Sequence, residues 1–177
     1  SIGGKTTYQH PGGTIPTGVA ETAGLVTGCV AVGTGFRKAE IGSLTPESFN
    51  LDGEPPTITI RAGYSKHRRE DIQPIRQDLA DTLRAYLAGK PAGTPVFDMP
   101  AKAFKIMQDD LASARAKYIG DAATDAERTE REQSGFCLYA DAAGRYADFH
   151  ALRHTYITRL VKSNASVKVC QELARHS

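Results

Sequence analysis

Residues 56–75, PTITIRAGYSKHRREDIQPI, limit the architecture more than any other stretch. Thr57 to Arg61 alternate β-branched residues, Gly63 and a polar run make a turn, and Asp71 to Ile75 return, which predicts an antiparallel β-hairpin. Most of the remaining chain repeats with a helical period. LADTLRAYLAG sets Leu79, Leu83, Tyr86 and Leu87 on one face and stops at Gly89. A helix from Ala101 to Tyr118 would carry Phe104, Met107, Leu111 and Tyr118 on one side. Another begins at Leu25 and ends in the glycines of GTGFR, followed by a short helical stretch, RKAEIGSL. TPESF reads as a helix start, with Thr45 as N-cap and Pro46 first. The last two helices span about 150–163 and 166–174, broken at Asn164. FCLYADAAGRYADFH predicts two short strands around a turn at Asp141 to Gly144. The acidic, alanine-rich stretch 120–134 reads as a loop or a loose helix. The class is mainly α with a small antiparallel β-sheet, α+β.

Residues 1–23 are rich in Gly and Thr and lack a helical period, so they read as a flexible N-terminal segment before one domain at 24–177. No apolar run reaches membrane-span length, and no signal peptide opens the chain. Three cysteines, Cys29, Cys137 and Cys170, are scattered. That argues against a disulfide framework and fits a reduced, intracellular protein. The net charge is only +2, but Lys66, His67, Arg68 and Arg69 cluster, and Arg153, Arg159, Lys162, Lys168 and Arg175 crowd the C-terminal stretch. A mild total can thus hide a basic face, and ordinary solvated surface charge is the equal alternative.

FHALRHTYITRL, residues 149–160, concentrates the chemistry. His150 and His154 have the outer spacing of a zinc-binding H-E-x-x-H. Ala151 stands where the general-base glutamate belongs, Arg153 would repel a metal, and no third ligand follows. Metal and cofactor are therefore not expected. His150 and Arg153, three apart, share a helical face, and a helix N-terminus offers N–H groups to an anion. Arginine grips phosphate oxygens in pairs. A phosphate suits this stretch better than zinc, and on these twelve residues alone a structural role, His150 packed locally and Arg153 in a surface salt bridge, is the favoured alternative.

TGFRKAEIGSL, AGYSKHRRED, FHALRHTYITRL and LARHS occur in that order. Together they resemble the catalytic domain of tyrosine recombinases, the phage-integrase family, over residues from about 25 to 177. The resemblance implies that family's fold and a set of roles. Arg37 and Arg153 match the two arginines that hold the nonbridging oxygens of the scissile phosphate. Lys66 matches the hairpin lysine that protonates the leaving 5′-oxygen. His150 matches the residue that helps move the nucleophile's proton, and His176 the last phosphate-contacting residue. Glu40 matches an acidic residue that braces Arg37. His154 reads as structural, hydrogen-bonded within the core, and Tyr156, Ile157 and Leu160 as core.

The family's nucleophile is a tyrosine beyond the last of these boxes, and it forms a 3′-phosphotyrosyl link with DNA. No tyrosine of this chain follows His176. The family's N-terminal clamp domain has no counterpart either, and Arg175 replaces a common glycine, there to add a phosphate contact or to face solvent. The resemblance implies a site-specific DNA recombinase or integrase domain, incomplete at its C-terminus and inactive without the downstream tyrosine. The alternative is a non-catalytic DNA-binding remnant or regulator of the same fold. Either reading implies double-stranded DNA as partner, without metal or ATP, in the cytoplasm on the nucleoid. The full-length parent would work as a tetramer on DNA.

Overall fold

The computed structural model describes residues 9–10, 13–14, 17–65 and 68–175. Strand β1 (Gln9–His10) pairs antiparallel with β2 (Gly13–Thr14). Helix α1 (Thr17–Thr34) begins well before Leu25, inside the stretch read as a lead-in. The rest of that stretch, at 1–8, 11–12 and 15–16, lies outside the described residues. Val26, Val30 and Ala31 recur at helical spacing and are buried. Thr34 ends the helix: its hydroxyl donates to the Val30 carbonyl at 2.6 Å and accepts from Phe36 N at 3.1 Å. The chain then turns at Gly35, whose φ of +66° suits glycine.

The short helix α2 (Lys38–Gly42) follows. TPESF starts a short helix as expected, with Thr45 as N-cap and Pro46 first, but of the 3-10 type. Pro46–Ser48 form one 3-10 turn, closed by Thr45 N donating to Ser48 Oγ at 3.1 Å, and lead into β3 (Phe49–Asn50). The predicted hairpin is present as β4 (Thr57–Ile60) and β5 (Asp71–Pro74), with Ile58 opposite Gln73 and Ile60 opposite Asp71. With β3 on its outer side it makes a three-stranded antiparallel sheet. β4 turns Ile58 and Ile60 inward, whereas β5 turns Asp71 and Gln73 inward and leaves Ile72 64% exposed. Inward Gln73 meets Tyr156 of the C-terminal part, and inward Asp71 is answered within its own hairpin by Ser65 and Arg69.

Helix α3 (Gln77–Leu87) buries Leu79, Ala80 and Leu83 against the core of Phe36, Ile41, Leu44, Val96 and Phe97. Helix α4 (Ala103–Gly120) buries nothing fully, and its Phe104 is 49% exposed, so its expected apolar side is only partly covered. The acidic stretch resolves into helix α5 (Asp125–Gln133), started by Thr124 Oγ1 accepting from Glu127 N at 3.1 Å. The two strands expected around Asp141 to Gly144 reduce to one bridge between Ala140 and Tyr146. The Asp141 carboxylate accepts from the backbone of Ala143 and Arg145, satisfying the turn without a longer ladder. Helices α6 (Phe149–Lys162) and α7 (Val167–Ala174) close the chain, separated at Asn164, whose φ of 58° breaks the helix as its residue type predicts. α6 packs on α1. Among the described residues no helix is long and apolar enough to cross a membrane.

A Cβ at Gly35 would lie 2.5 Å from Cδ1 of Tyr156, and at Gly89, φ +75°, it would meet nothing. Gly35→Ala is therefore expected to lower unfolding free energy by roughly 2–5 kcal/mol, combining left-handed strain with overpacking. Gly89→Ala should lose only about 1–2 kcal/mol from strain. Urea denaturation of both variants checks the difference; equal losses would contradict the contact.

Candidate functional site

α6 brings its chemistry to the junction of α1, α2 and α7. Asp148 caps it, Oδ1 accepting from Ala151 N at 3.0 Å. Its first free N–H groups are thus already answered in part by a carboxylate, so any anion here must be held mainly by side chains. Arg153 and Tyr156, three residues apart, share the buried face. Arg153 is 3% exposed. Its Nη1 donates to the Gly35 carbonyl at 2.5 Å and its Nη2 to the Ala174 carbonyl. Tyr156 accepts at its hydroxyl from Gln73 Nε2 at 3.0 Å, which explains the inward glutamine of β5.

Arg37 stands at the N-cap of α2. Glu40, 1% exposed, holds it twice: Oε2 accepts Arg37 N at 2.6 Å and Oε1 pairs with Nη1 at 3.1 Å. The expected brace is therefore an ion pair within one helical turn. Two guanidinium groups, Arg37 and Arg175, pair with this one carboxylate, and Arg153 feels its charge. Burial pushes the Arg153 guanidinium pKa down, and the charges of Arg37 and Arg175 push it further, with Glu40 opposing. Excess positive charge in a part-buried place favours an anion.

An open cavity of about 400 Å³ adjoins this cluster, lined by Phe36, Arg37, Lys38, Phe104, Asp148, His150 and Arg153, among others. Two of the arginines assigned from sequence and the histidine thus meet at one concave surface. His150 is exposed at its rim. His154, expected in the core, is also exposed, and its ring meets that of His150 edge-on with centroids 4.9 Å apart. The reason is helical phase: with Arg153 and Tyr156 inward, His154 turns out. Lys66 and His176 lie outside the described residues. The hairpin on either side of Lys66 is braced by Asp71, which accepts from Ser65 Oγ at 2.5 Å and pairs with Arg69 at 3.4 Å. Among the described residues no group of three or more His, Cys, Asp or Glu could hold a metal.

Sequence reasoning missed the buried position of Arg175 and the presence of Lys38, whose Nζ reaches the Ala101 carbonyl at 2.9 Å across the cavity. An arginine at a helix end where glycine is usual was the available signal for the first. Nothing in the local pattern marks the second.

The family model described as phage integrase family matches residues 20–177. The chain is 26% identical to the tyrosine recombinase XerA of Thermococcus kodakarensis over 145 residues, 82% of this chain and 44% of that protein. Among solved structures it resembles a crystal structure of XerA recombinase, with TM-score 0.55 and 16% identity, covering 90% of this chain and 53% of that one. It also resembles the Tn1549 transposon integrase in complex with transposon right end DNA, with TM-score 0.52 and 16% identity over 89% of this chain and 52% of that one. These structural likenesses show the fold. The chain spans about half the length of the relatives it matches.

Replacing Glu40 by Gln removes the buried carboxylate that part-exposed Arg37 and buried Arg175 share. Breaking one partner of a buried pair costs about 3–5 kcal/mol. Glu40→Gln should lose stability on that scale in urea denaturation, and a loss under about 1 kcal/mol would count against the ion pair. Burial also raises the Tyr156 phenol above the ordinary tyrosine value of 10.0, with Gln73 and the nearby arginines opposing. A raised value means that stability is whole below pH 10.0 and falls as pH rises through the folded-state value. Tyr156→Phe should flatten that alkaline decline.

Proposed function

The chain belongs to the phage integrase family, and from that premise we propose that it is the DNA-handling catalytic domain of a site-specific recombinase. One observation carries the reading: Arg37 and Arg153 line one cavity with His150, and the positive charge there exceeds that of Glu40. In this reading the scissile phosphate of double-stranded DNA enters the cavity. Arg37 takes its nonbridging oxygens from the exposed side. Arg153 has N–H groups beyond the two that bind carbonyls, and these face the same phosphate. The pair offsets charge that develops as phosphorus exchanges oxygen partners. His150 accepts the proton of the attacking hydroxyl. Lys66 protonates the leaving 5′-oxygen, and His176 adds a last contact to the phosphate.

The bond that breaks is P–O5′, and the bond that forms joins phosphorus to a tyrosine oxygen. Rejoining reverses both, so neither metal nor ATP enters. Among the described residues no tyrosine lines the cavity. In this reading the attacking tyrosine is supplied from beyond the cavity lining, and the outcome expected of this chain alone is DNA binding without a covalent product. The same observation keeps a second reading alive: a non-catalytic DNA-binding remnant or regulator with an intact phosphate grip. The Tn1549 transposon integrase, of like fold, was solved with DNA bound. The proposal extends to cytoplasmic work on the nucleoid, with the full-length protein as a tetramer across two duplexes.

Binding of a DNA duplex should weaken steeply with salt, and Arg37→Ala should reduce the slope of log K against log salt by about 1. Fluorescence anisotropy over a salt series measures this. Salt-independent binding, or an unchanged slope, would overturn the phosphate grip. The full-length gene product on a nicked suicide substrate decides between the two readings. A covalent protein–DNA band on a denaturing gel, absent in Arg37→Ala and Arg153→Ala, supports the recombinase. Binding without any band supports the remnant.

A further inference from the structure

Helix α7 ends at Arg175 with φ 51° and ψ 46°, a left-handed conformation. Such ends fall mostly to glycine or asparagine, because a Cβ disfavours them. An arginine remains there because its side chain is gripped elsewhere. It turns inward and is 8% exposed. Its guanidinium lies 4.5 Å from the centre of the Phe36 ring, a cation–π distance. Its Nη2 donates to Glu40 Oε2 at 2.9 Å. That same oxygen accepts Arg37 N at 2.6 Å, and the other oxygen of Glu40 takes Arg37 Nη1 at 3.1 Å. The carboxylate is therefore oriented by two arginines from two ends of the chain. Only Arg37 keeps an open face, its side chain 30% exposed. Phe36, which carries the Arg175 guanidinium on its ring, lines the cavity, and Arg175 is not among the lining residues.

We propose that Arg175 is a positioning residue: it fixes Glu40 from the α7 side, and Glu40 fixes the Arg37 guanidinium at the cavity. The inference rests on the reading of Arg37 as a phosphate ligand. It makes the end of α7 a determinant of the first arginine's geometry, although the two are 138 positions apart in sequence, 175 against 37. Arg175 thereby acts through another residue and does not touch DNA.

The test uses the chain with Arg175→Gly, Arg175→Lys, Arg37→Ala and the double variant Arg175→Gly with Arg37→Ala. Glycine suits the left-handed φ, so Arg175→Gly removes the guanidinium without straining the backbone. Two readouts are taken: ¹⁵N relaxation of the Arg37 Nε–H without DNA, and duplex affinity by anisotropy. The Arg37 Nε–H is expected to lose order in Arg175→Gly, and affinity to fall roughly tenfold. In the Arg37→Ala background the same change should cost less than about twofold. Arg175→Lys, which keeps a donor for Glu40, should recover most of the binding. Additive losses would mean that Arg175 contacts DNA independently, overturning the proposal. Unchanged order and affinity would leave Arg175 a helix end only and would overturn it equally. A lysine variant no better than glycine would count against the ion pair as the means. If the unmutated chain binds no DNA, the phosphate reading falls, and the relaxation result alone decides the positioning.

Discussion

The Arg153 guanidinium is almost wholly withdrawn from water, and the rest of the site depends on how it is answered. A charge so placed is strongly unfavourable unless its N–H groups find acceptors. Its two acceptors are main-chain carbonyls, Gly35 after α1 and Ala174 at the end of α7. Both stand at places where helical hydrogen bonding stops and carbonyls are left over. One side chain on α6 thus satisfies the ends of two other helices. The turn that presents Arg37 and the last turn before His176 are both referred to α6 by this fork.

The constraint propagates through sterics as well as charge. Gly35 offers its carbonyl to Arg153 and lacks the Cβ that would strike Tyr156. The Tyr156 ring can therefore lie against the turn while its hydroxyl reaches Gln73 on β5. That contact accounts for the inward Gln73 of β5, while the inward Asp71 is answered by Ser65 and Arg69 of its hairpin. Glu40 is the remaining necessary part. Without a buried carboxylate, the arginines of the cluster would repel one another at short range, and with it they retain a net positive charge for an anion to answer.

The parts of the fold that were legible are those whose signal is local. Alternation over Thr57–Ile60, the spacing of Leu79 and Leu83, and the left-handed preference of Asn164 all act within a few residues. The misread parts are those where a competing local bond or a distant neighbour decided. Asp141 satisfied its own turn, so the expected strands around it shrank to one bridge. His154 follows the phase of α6, which is set by what Arg153 and Tyr156 find on α1 and β5, and no single-helix pattern contains that choice.

The sequence by itself determined the class, the order of elements and the residue types able to meet a phosphate: Arg37, Arg153 and His150, each in a box with its own local structure. The class and the order follow from periodicity and turn chemistry, whereas Arg37, and the joining of the three into one site, come from the resemblance of their boxes to the phage-integrase family. Only the tertiary structure decided which of those charges are buried and what answers them. Arg175 is the clearest instance. Its sequence neighbours say nothing of Glu40 or Phe36, because the contact joins chain ends that meet only after α1, α6 and α7 have packed. Burial and pairing energies depend on distance in space, and a linear pattern does not encode that distance.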